Sequence, residues 1–305
     1  MNTQAASRGG FGAWFLDPKR RGALLVAPAI LILFVMNIFP LLWSFGLSFF
    51  NYKASSPRVP SFRGLSNYER MLTDEKTWER FQTTAVIVSS SVLLQLIIGF
   101  LLALMFAKAF PMRRVVLMLV LTPMMLSFVS VGVFFKLFYE PTFGIVSYVM
   151  NFFFEDRFVM LGSPAGAIAG IVIADAWMWS PFVMLLVLAG LVSVPKYLYE
   201  AAEIDRASSW RTFWTITFPY IKSLLLLAIL FRTIETFKLF DIVYIITEGG
   251  PGSSTETIAV FLYRNAFQFF QTSRSAALAY IVLFIVIVLT NLYLYAVNRR
   301  EQEVS

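Results

Sequence analysis

The sequence predicts an all-α integral membrane protein that crosses its bilayer about six times, with both termini in the cytoplasm. Three observations predict it. Of 305 residues, 58% are hydrophobic and only 14% charged, whereas charged residues make up about a quarter of a soluble domain. The apolar residues gather in runs long enough to cross hydrocarbon, which takes about 20 residues of helix. The Lys and Arg residues are shared unevenly between the connecting segments, and that bias sets orientation.

The six runs are 22–48, 84–107, 115–138, 166–192, 221–246 and 275–297. Helices are the expected form, because lipid satisfies no backbone polar group and the runs lack the alternation of barrel strands. The first run follows Lys19-Arg20-Arg21 and is too long, with no small-residue cleavage site, for a signal peptide; it is read as a retained span. One side of the membrane receives Arg8 and Lys19–Arg21, then Lys108, Arg113 and Arg114, Lys196, Arg206, Arg211 and Lys222, and finally Arg299 and Arg300. The other receives Lys53, Arg58, Arg63, Arg70, Lys76 and Arg80, with Arg157 and Arg264. The first side holds the excess, which places it and both termini in the cytoplasm. The division expected is a tail over 1–21, a first span and outer loop over 22–83, a membrane domain over 84–300 and a tail over 301–305. In the outer loop, Ser66 to Phe81 reads as helical, with Tyr68, Met71, Leu72 and Trp78 fit for a helix on the membrane surface; a plain connecting loop is the alternative.

Composition also excludes. The chain has no Cys and no His, which removes disulfides, thiolate and imidazole metal ligands, and every Ser-His or Cys-His dyad. The formal charge of +7 lies at the ends of apolar runs and forms no dense stripe, so it marks topology rather than nucleic-acid binding. There is no GxxxxGK[ST] phosphate loop, so ATP is not bound by this chain.

Ionisable groups within spans cost about 2.5–3.5 kcal/mol each on insertion scales and therefore face a cavity or a partner. The fifth run has Arg232, Glu235, Lys238 and Asp241 at three-residue spacing, within helical reach of one another. They are read either as Arg232–Glu235 and Lys238–Asp241 pairs or as pathway lining. The fourth run carries Asp175, Trp177, Trp179 and Ser180, then Pro181. Rings with a few polar groups suit a sugar, whose apolar face stacks while its hydroxyls are paired; packing of the Trp rings is the plainer reading. Thr122, Ser127 and Ser130 in the third run read as helix-bridging groups.

The longest internal segment on the cytoplasmic side, 191–222, is more specific. Pro195 suits a helix start, Leu198, Ala201, Ala202 and Ile204 form an apolar face, and Ser208 or Ser209 can cap a second short helix bearing Trp210, Phe213 and Trp214. Such a helix–turn–helix bracket fits a groove on a partner; on spacing alone, a loop with merely solvated charges fits as well.

Glu200-Ala201-Ala202, Asp205, Ala207 and Phe218-Pro219 resemble the EAA loop of binding-protein-dependent ABC importer permeases. Trp179-Ser180-Pro181-Phe182, Ala189-Gly190-Leu191, Pro195-Lys196 and Leu198-Tyr199 resemble the maltose/trehalose/glycerol-phosphate-type carbohydrate branch of that family. So do Gly64-Leu65 with Asn67-Tyr68, and Phe240-Asp241 with Thr247-Glu248-Gly249-Gly250-Pro251. One departure is Arg206, where the family has Gly in the turn; since Gly serves turns of positive φ, a turn built differently is expected.

The resemblance implies type I ABC importer permease architecture in a bacterial cytoplasmic membrane. It implies a second permease subunit, two cytoplasmic ATPase subunits, an extracytoplasmic solute-binding protein, and a sugar as substrate. No cofactor belongs to the chain; ATP and Mg belong to the ATPase. Over 195–219, Glu200 would make an ionic contact to the ATPase with Asp205 and Arg206 at its edge. Ala201 and Ala202 would allow close approach, and Trp210 and Phe213 would fill the groove. Asp175, Trp177, Trp179, Ser180, Arg232, Glu235 and Lys238 would line the substrate pathway, and Gly249, Gly250 and Pro251 would form a docking or gating turn. Arg232 and Lys238 leave room for an anionic sugar. A secondary transporter or channel acting alone is the rival; it would usually carry an internal repeat, and none is visible.

Overall fold

A computed structural model describes residues 18–153 and 158–302. Residues 1–17 with Arg8, Arg157, and residues 303–305 lie outside the described residues. In chain order come α1 (Pro18–Leu33), α2 (Phe39–Ser48), the short hairpin β1 (Phe50–Asn51) and β2 (Ser61–Phe62), α3 (Ser66–Thr73), α4 (Glu75–Ala107), α5 (Arg113–Leu121), α6 (Phe128–Phe138) and α7 (Ile145–Phe153). Then follow α8 (Pro164–Ser193), α9 (Lys196–Ile204), α10 (Ser209–Thr212), α11 (Phe218–Phe237), α12 (Asp241–Thr247), α13 (Ile258–Tyr263) and α14 (Thr272–Gln302).

Five helical stretches are long and apolar enough to cross a membrane: Leu25–Ser48, Glu75–Ala107, Pro164–Ser193, Ser209–Phe237 and Thr272–Val297. The bent pair α5 and α6, apolar enough when taken together, is a sixth candidate. Their directions alternate. α4 and α8 run parallel, since Gln95 meets Asp175 and, further along both, Gly99 abuts Val183. α11 runs against them, with Arg232 at Asp175 and Ile221 at Gly190. α14 opposes α11, as Phe237 clusters with Leu278 and Tyr293 donates to the Leu226 carbonyl. The first span opposes α14, joined by Tyr280 to Leu41 and by Ser273 to the Tyr52 carbonyl. One end of the bundle, the bracket end, therefore gathers 108–112 and 194–208; the other, the loop end, gathers 49–74, 139–153, 158–163 and 238–271.

Three expectations need correction. Residues 75–81 are not a surface helix: α3 ends at Thr73, and α4 then runs unbroken from Glu75 with Thr77 and Arg80 already buried. The third span is not straight, for its halves meet at 100°. Pro123 sits in a 3₁₀ turn over Thr122–Met125, where it has no N–H to give, and Ser127 accepts from the Ser130 N–H to start α6 afresh. The second half still follows α8, because Tyr139 beyond α6 donates to the Gly170 carbonyl at the loop end. The fifth span begins at Ser209 and ends at Phe237; a π-helical turn at Phe213–Thr217 precedes Pro219. Past the turn at 238–240, Ile242, Val243 and Ile246 of α12 join the core with Val131, Ile171 and Met178. An apolar run that continues through a turn gives no periodic signal of the break.

The tightest seam lies between α4 and α8. A Cβ on Gly99 would stand 2.6 Å from the Val183 Cβ and 2.7 Å from the Ser180 carbonyl oxygen, so only Gly permits that approach. Residues 25–43, by contrast, are exposed along the whole helix face.

Candidate functional site

The polar groups in the seam form one cluster. Asp175 is fully buried on α8, and Arg232 on α11 reaches it with an Nη2–Oδ1 distance of 3.3 Å. Gln95 on α4 completes the group, donating to the Asp175 Oδ2 at 2.7 Å and accepting from the Arg232 Nε at 2.8 Å. Thr236, one turn after Arg232, accepts a further bond at 3.1 Å, and the guanidinium lies 4.4 Å from the centre of the Trp179 ring. Three crossing helices are thus tied by a charge pair whose hydrogen-bonding atoms face each other, the arrangement that makes a buried charge tolerable.

This geometry redistributes the predicted pathway residues. Arg232 does not pair with Glu235, nor Lys238 with Asp241. Arg232 takes Asp175, while Lys238 and Glu235 pair at 3.1 Å with both side chains more than half exposed. Asp241 opens α12, beyond the span. Asp175 and Arg232 are enclosed between helices. The Ser180 hydroxyl donates to the Ala176 carbonyl of its own helix, and Trp179 lies between Arg232 and the Phe128 ring, 5.9 Å away. Trp177 alone of the fourth-span set presents a ring outward, 44% exposed. It borders a groove of about 630 Å³ against α4 and α5 whose lining is apolar apart from Thr122 and Ser180. Sequence reasoning missed Gln95 and Thr236. A lone Gln in an apolar run is the signal that could have found the first.

A second charge cluster fixes the loop end. Glu256, 5% exposed, accepts from Arg80 at 2.6 Å and from Arg264 at 2.8 Å, and Arg264 also donates to the Glu248 carbonyl. The turn over Gly249–Gly252 is pinned beside it. Gly249 and Gly252 have φ of +84° and +58°, a region that favours Gly, and the Thr255 hydroxyl donates to the Gly250 carbonyl at 2.7 Å. Gly249 is buried, Gly250 and Pro251 half-buried, and Gly252 exposed, so of the four residues Gly252 forms the accessible tip.

At the bracket end, α9 and α10 are the two short helices read from the sequence. Ser208 caps α10 by accepting from the Arg211 N–H. The turn between them corrects the expectation about Arg206. Arg206 adopts φ +50°, its N–H bonds to the Glu203 carbonyl, and the Ala207 N–H bonds to Ala202. This is the Schellman ending in which Gly is usual, with Arg in Gly's conformation. Glu200, Ala201, Asp205 and Arg206 are exposed and Ala202 is half-buried. Trp210 is 72% and Ile204 83% exposed. Phe213, expected to point at a partner, turns inward instead, edge-on to Phe100 at 6.2 Å and packed with Trp214 and Phe218. The start of the span needs that ring to cover its own core.

Five long apolar helices and a bent pair, with a polar seam at mid-bundle and an exposed helical bracket at one end, define an integral membrane protein. Residues 95–302 match the family described as binding-protein-dependent transport system inner membrane component, and the chain belongs to that family: it is a multi-pass ABC transporter permease and not an enzyme. It is 33% identical over 286 residues to the sulfoquinovosyl glycerol transport system permease protein SmoG of Agrobacterium fabrum, covering 94% of this chain and 93% of that one. It is 33% identical over 273 residues to the trehalose/maltose transport system permease protein MalF of Thermococcus litoralis, covering 90% and 92%. A chain of a bacterial ABC transporter involved in the import of the acidic polysaccharide alginate shares the fold with a TM-score of 0.78 at 20% identity, covering 93% and 98%.

Proposed function

We propose that this permease forms half of the translocation pathway of an ATP-driven importer for a sugar or sugar derivative. It works in a bacterial cytoplasmic membrane with a second, similar subunit. Two ATPase subunits dock at the bracket end, which faces the cytoplasm together with both termini. A solute-binding protein docks at the loop end, where the pinned Gly249–Gly252 turn presents its tip. The observation that carries this reading is the bracket itself: Tyr197, Ile204 and Trp210 are exposed large apolar side chains beside exposed Glu200, Asp205 and Arg206, an amphipathic surface suited to a groove. ATP binding would draw the two brackets together, and the motion would reach the seam through α11, which is helically continuous from Ser209 to Phe237.

Sugar transport is supported by the names of the relatives, among them permeases for trehalose/maltose and for sulfoquinovosyl glycerol. The second of these keeps an anionic sugar as an alternative within the same reading. The cation that could serve it is then Lys238, whose side chain is 58% exposed beside its partner Glu235, rather than Arg232, which is enclosed with Asp175.

Glu200→Arg in the assembled transporter tests the coupling role. The expected outcome is intact assembly with binding-protein-stimulated ATPase activity reduced about tenfold or more, as for loss of an interface anchor. Retention of both assembly and stimulation would refute the role given to the bracket.

A further inference from the structure

At the loop end a polar cavity of about 520 Å³ is lined by Lys53, Arg58, Arg63, Arg70 and Arg274, with Asn51 and Asn67 among the remaining residues and no carboxylate. It is assembled from three separate parts of the chain. The hairpin β1–β2 supplies Asn51 and brackets Lys53 and Arg58; α3 supplies Asn67 and Arg70; and Arg274 stands in the first turn of α14. Asn67 holds the parts together by donating to the Ser48 and Phe50 carbonyls, each at 2.8 Å. Among the described residues, none of the five cations has a carboxylate within ion-pair distance, and Arg274 bonds only to the Gln271 amide oxygen, at 3.1 Å. Five like charges converging on one cavity without a counter-ion repel one another, so the cavity is built for an anion that the protein does not itself provide.

Its depth identifies the anion. The first span ends at Ser48 and the last begins at Thr272. Asn51 lies three residues beyond the first of those ends, about 10 Å of strand, and Arg274 two residues inside the second, about 3 Å of helix. That is the headgroup layer beside the hydrocarbon core. Val59, Phe62 and Leu65, which alternate with the cations along the chain, are 85%, 71% and 68% exposed. Apolar side chains beside basic ones are the chemistry of a surface that enters the acyl boundary while its cations meet phosphate. We infer that this cavity binds the phosphodiester headgroup of an anionic phospholipid in the leaflet at the loop end, and so bridges the first and last spans. The assignment does not depend on what the transporter carries.

Native mass spectrometry of the assembled transporter, with phosphatidylglycerol or phosphatidylcholine added to the detergent solution, tests it. The wild type should retain phosphatidylglycerol in preference to phosphatidylcholine. The triple variant Arg58→Gln, Arg63→Gln, Arg70→Gln should lose that preference by about fivefold for each cation removed. The charge-keeping variant Arg58→Lys, Arg63→Lys, Arg70→Lys should hold most of it, which separates lost charge from lost folding. Equal retention of the two lipids by the wild type, or an unchanged preference in the triple Gln variant, would overturn the inference. Displacement of the lipid by millimolar inorganic phosphate would overturn the lipid as the source and assign the site to a soluble oxyanion. Loss of binding-protein-stimulated ATPase in the Gln variant with lipid preference intact would make the cavity a protein-docking surface instead.

Discussion

The seam between α4, α8 and α11 and the bracket of α9 and α10 carry similar residue types and use them in opposite ways. In the seam, Asp175 and Arg232 are 0% and 3% exposed at the side chain and satisfy each other through Gln95 and Thr236. In the bracket, Glu200, Asp205 and Arg206 stand in the open beside exposed Ile204 and Trp210. One region completes its polar and apolar requirements within the chain; the other leaves both unmet. The seam is therefore where substitution should alter stability, and the bracket where it should alter coupling and leave stability alone.

The largest effect is expected at the seam. Asp175→Ala leaves Arg232 as an uncompensated charge between helices and should destabilise the subunit by about 3–5 kcal/mol, read as a lowered thermal transition of the detergent-purified transporter. The double variant Asp175→Leu, Arg232→Met removes both charges and should recover most of that loss. A single variant as stable as the wild type would show that water already reaches the pair. Next is Gly99→Ala. Its Cβ meets the Ser180 backbone at 2.7 Å, so α4 and α8 must part, at about 1–3 kcal/mol by the same measurement.

How much of this was legible in the sequence follows the same division. The spans were legible because hydrocarbon demands long apolar runs, and the bracket because caps and turns are local: Ser208 caps α10 where its position allowed. The partners of Arg232 were not. Spacing along one helix offered Glu235, three residues away, whereas the real partner lies on α8, 57 residues back in sequence, and only the packing of α8 on α11 brings it near. The break at 238–240 was hidden for a related reason, since Leu239 and Ile242 stay buried on either side of it. Arg206 shows the limit of reading a turn from its residue: the hydrogen bonds at the end of α9 impose positive φ whether or not Gly is there.

Arg206 also gives a prediction of opposite sign. A non-Gly residue in the left-handed region carries strain that Gly avoids, so Arg206→Gly should stabilise the bracket by about 0.5–1 kcal/mol, offset in part by the greater freedom of Gly in the unfolded chain. Hydrogen exchange at the Arg211 amide, which Ser208 caps, would report the gain as slower exchange. Faster exchange would mean that the Arg206 side chain holds the turn in some other way.

The smallest change in stability, and the sharpest contrast with the seam, is expected for Trp210→Ala. This ring is 72% exposed and its neighbour in space is Trp214, at 5.6 Å, so the subunit alone should lose no more than about 0.5 kcal/mol, the usual range at an exposed site. In the assembled transporter the same ring would be covered, and removing it should weaken ATPase-subunit retention by about tenfold or more if it is an anchor of that interface. Co-purification at rising salt and detergent measures that retention, while the thermal transition of the isolated subunit measures stability. A ring that lowers the second and spares the first would belong with Phe213 to the core, and the boundary between self-satisfied seam and unsatisfied bracket would have to be drawn one helical turn earlier in the chain.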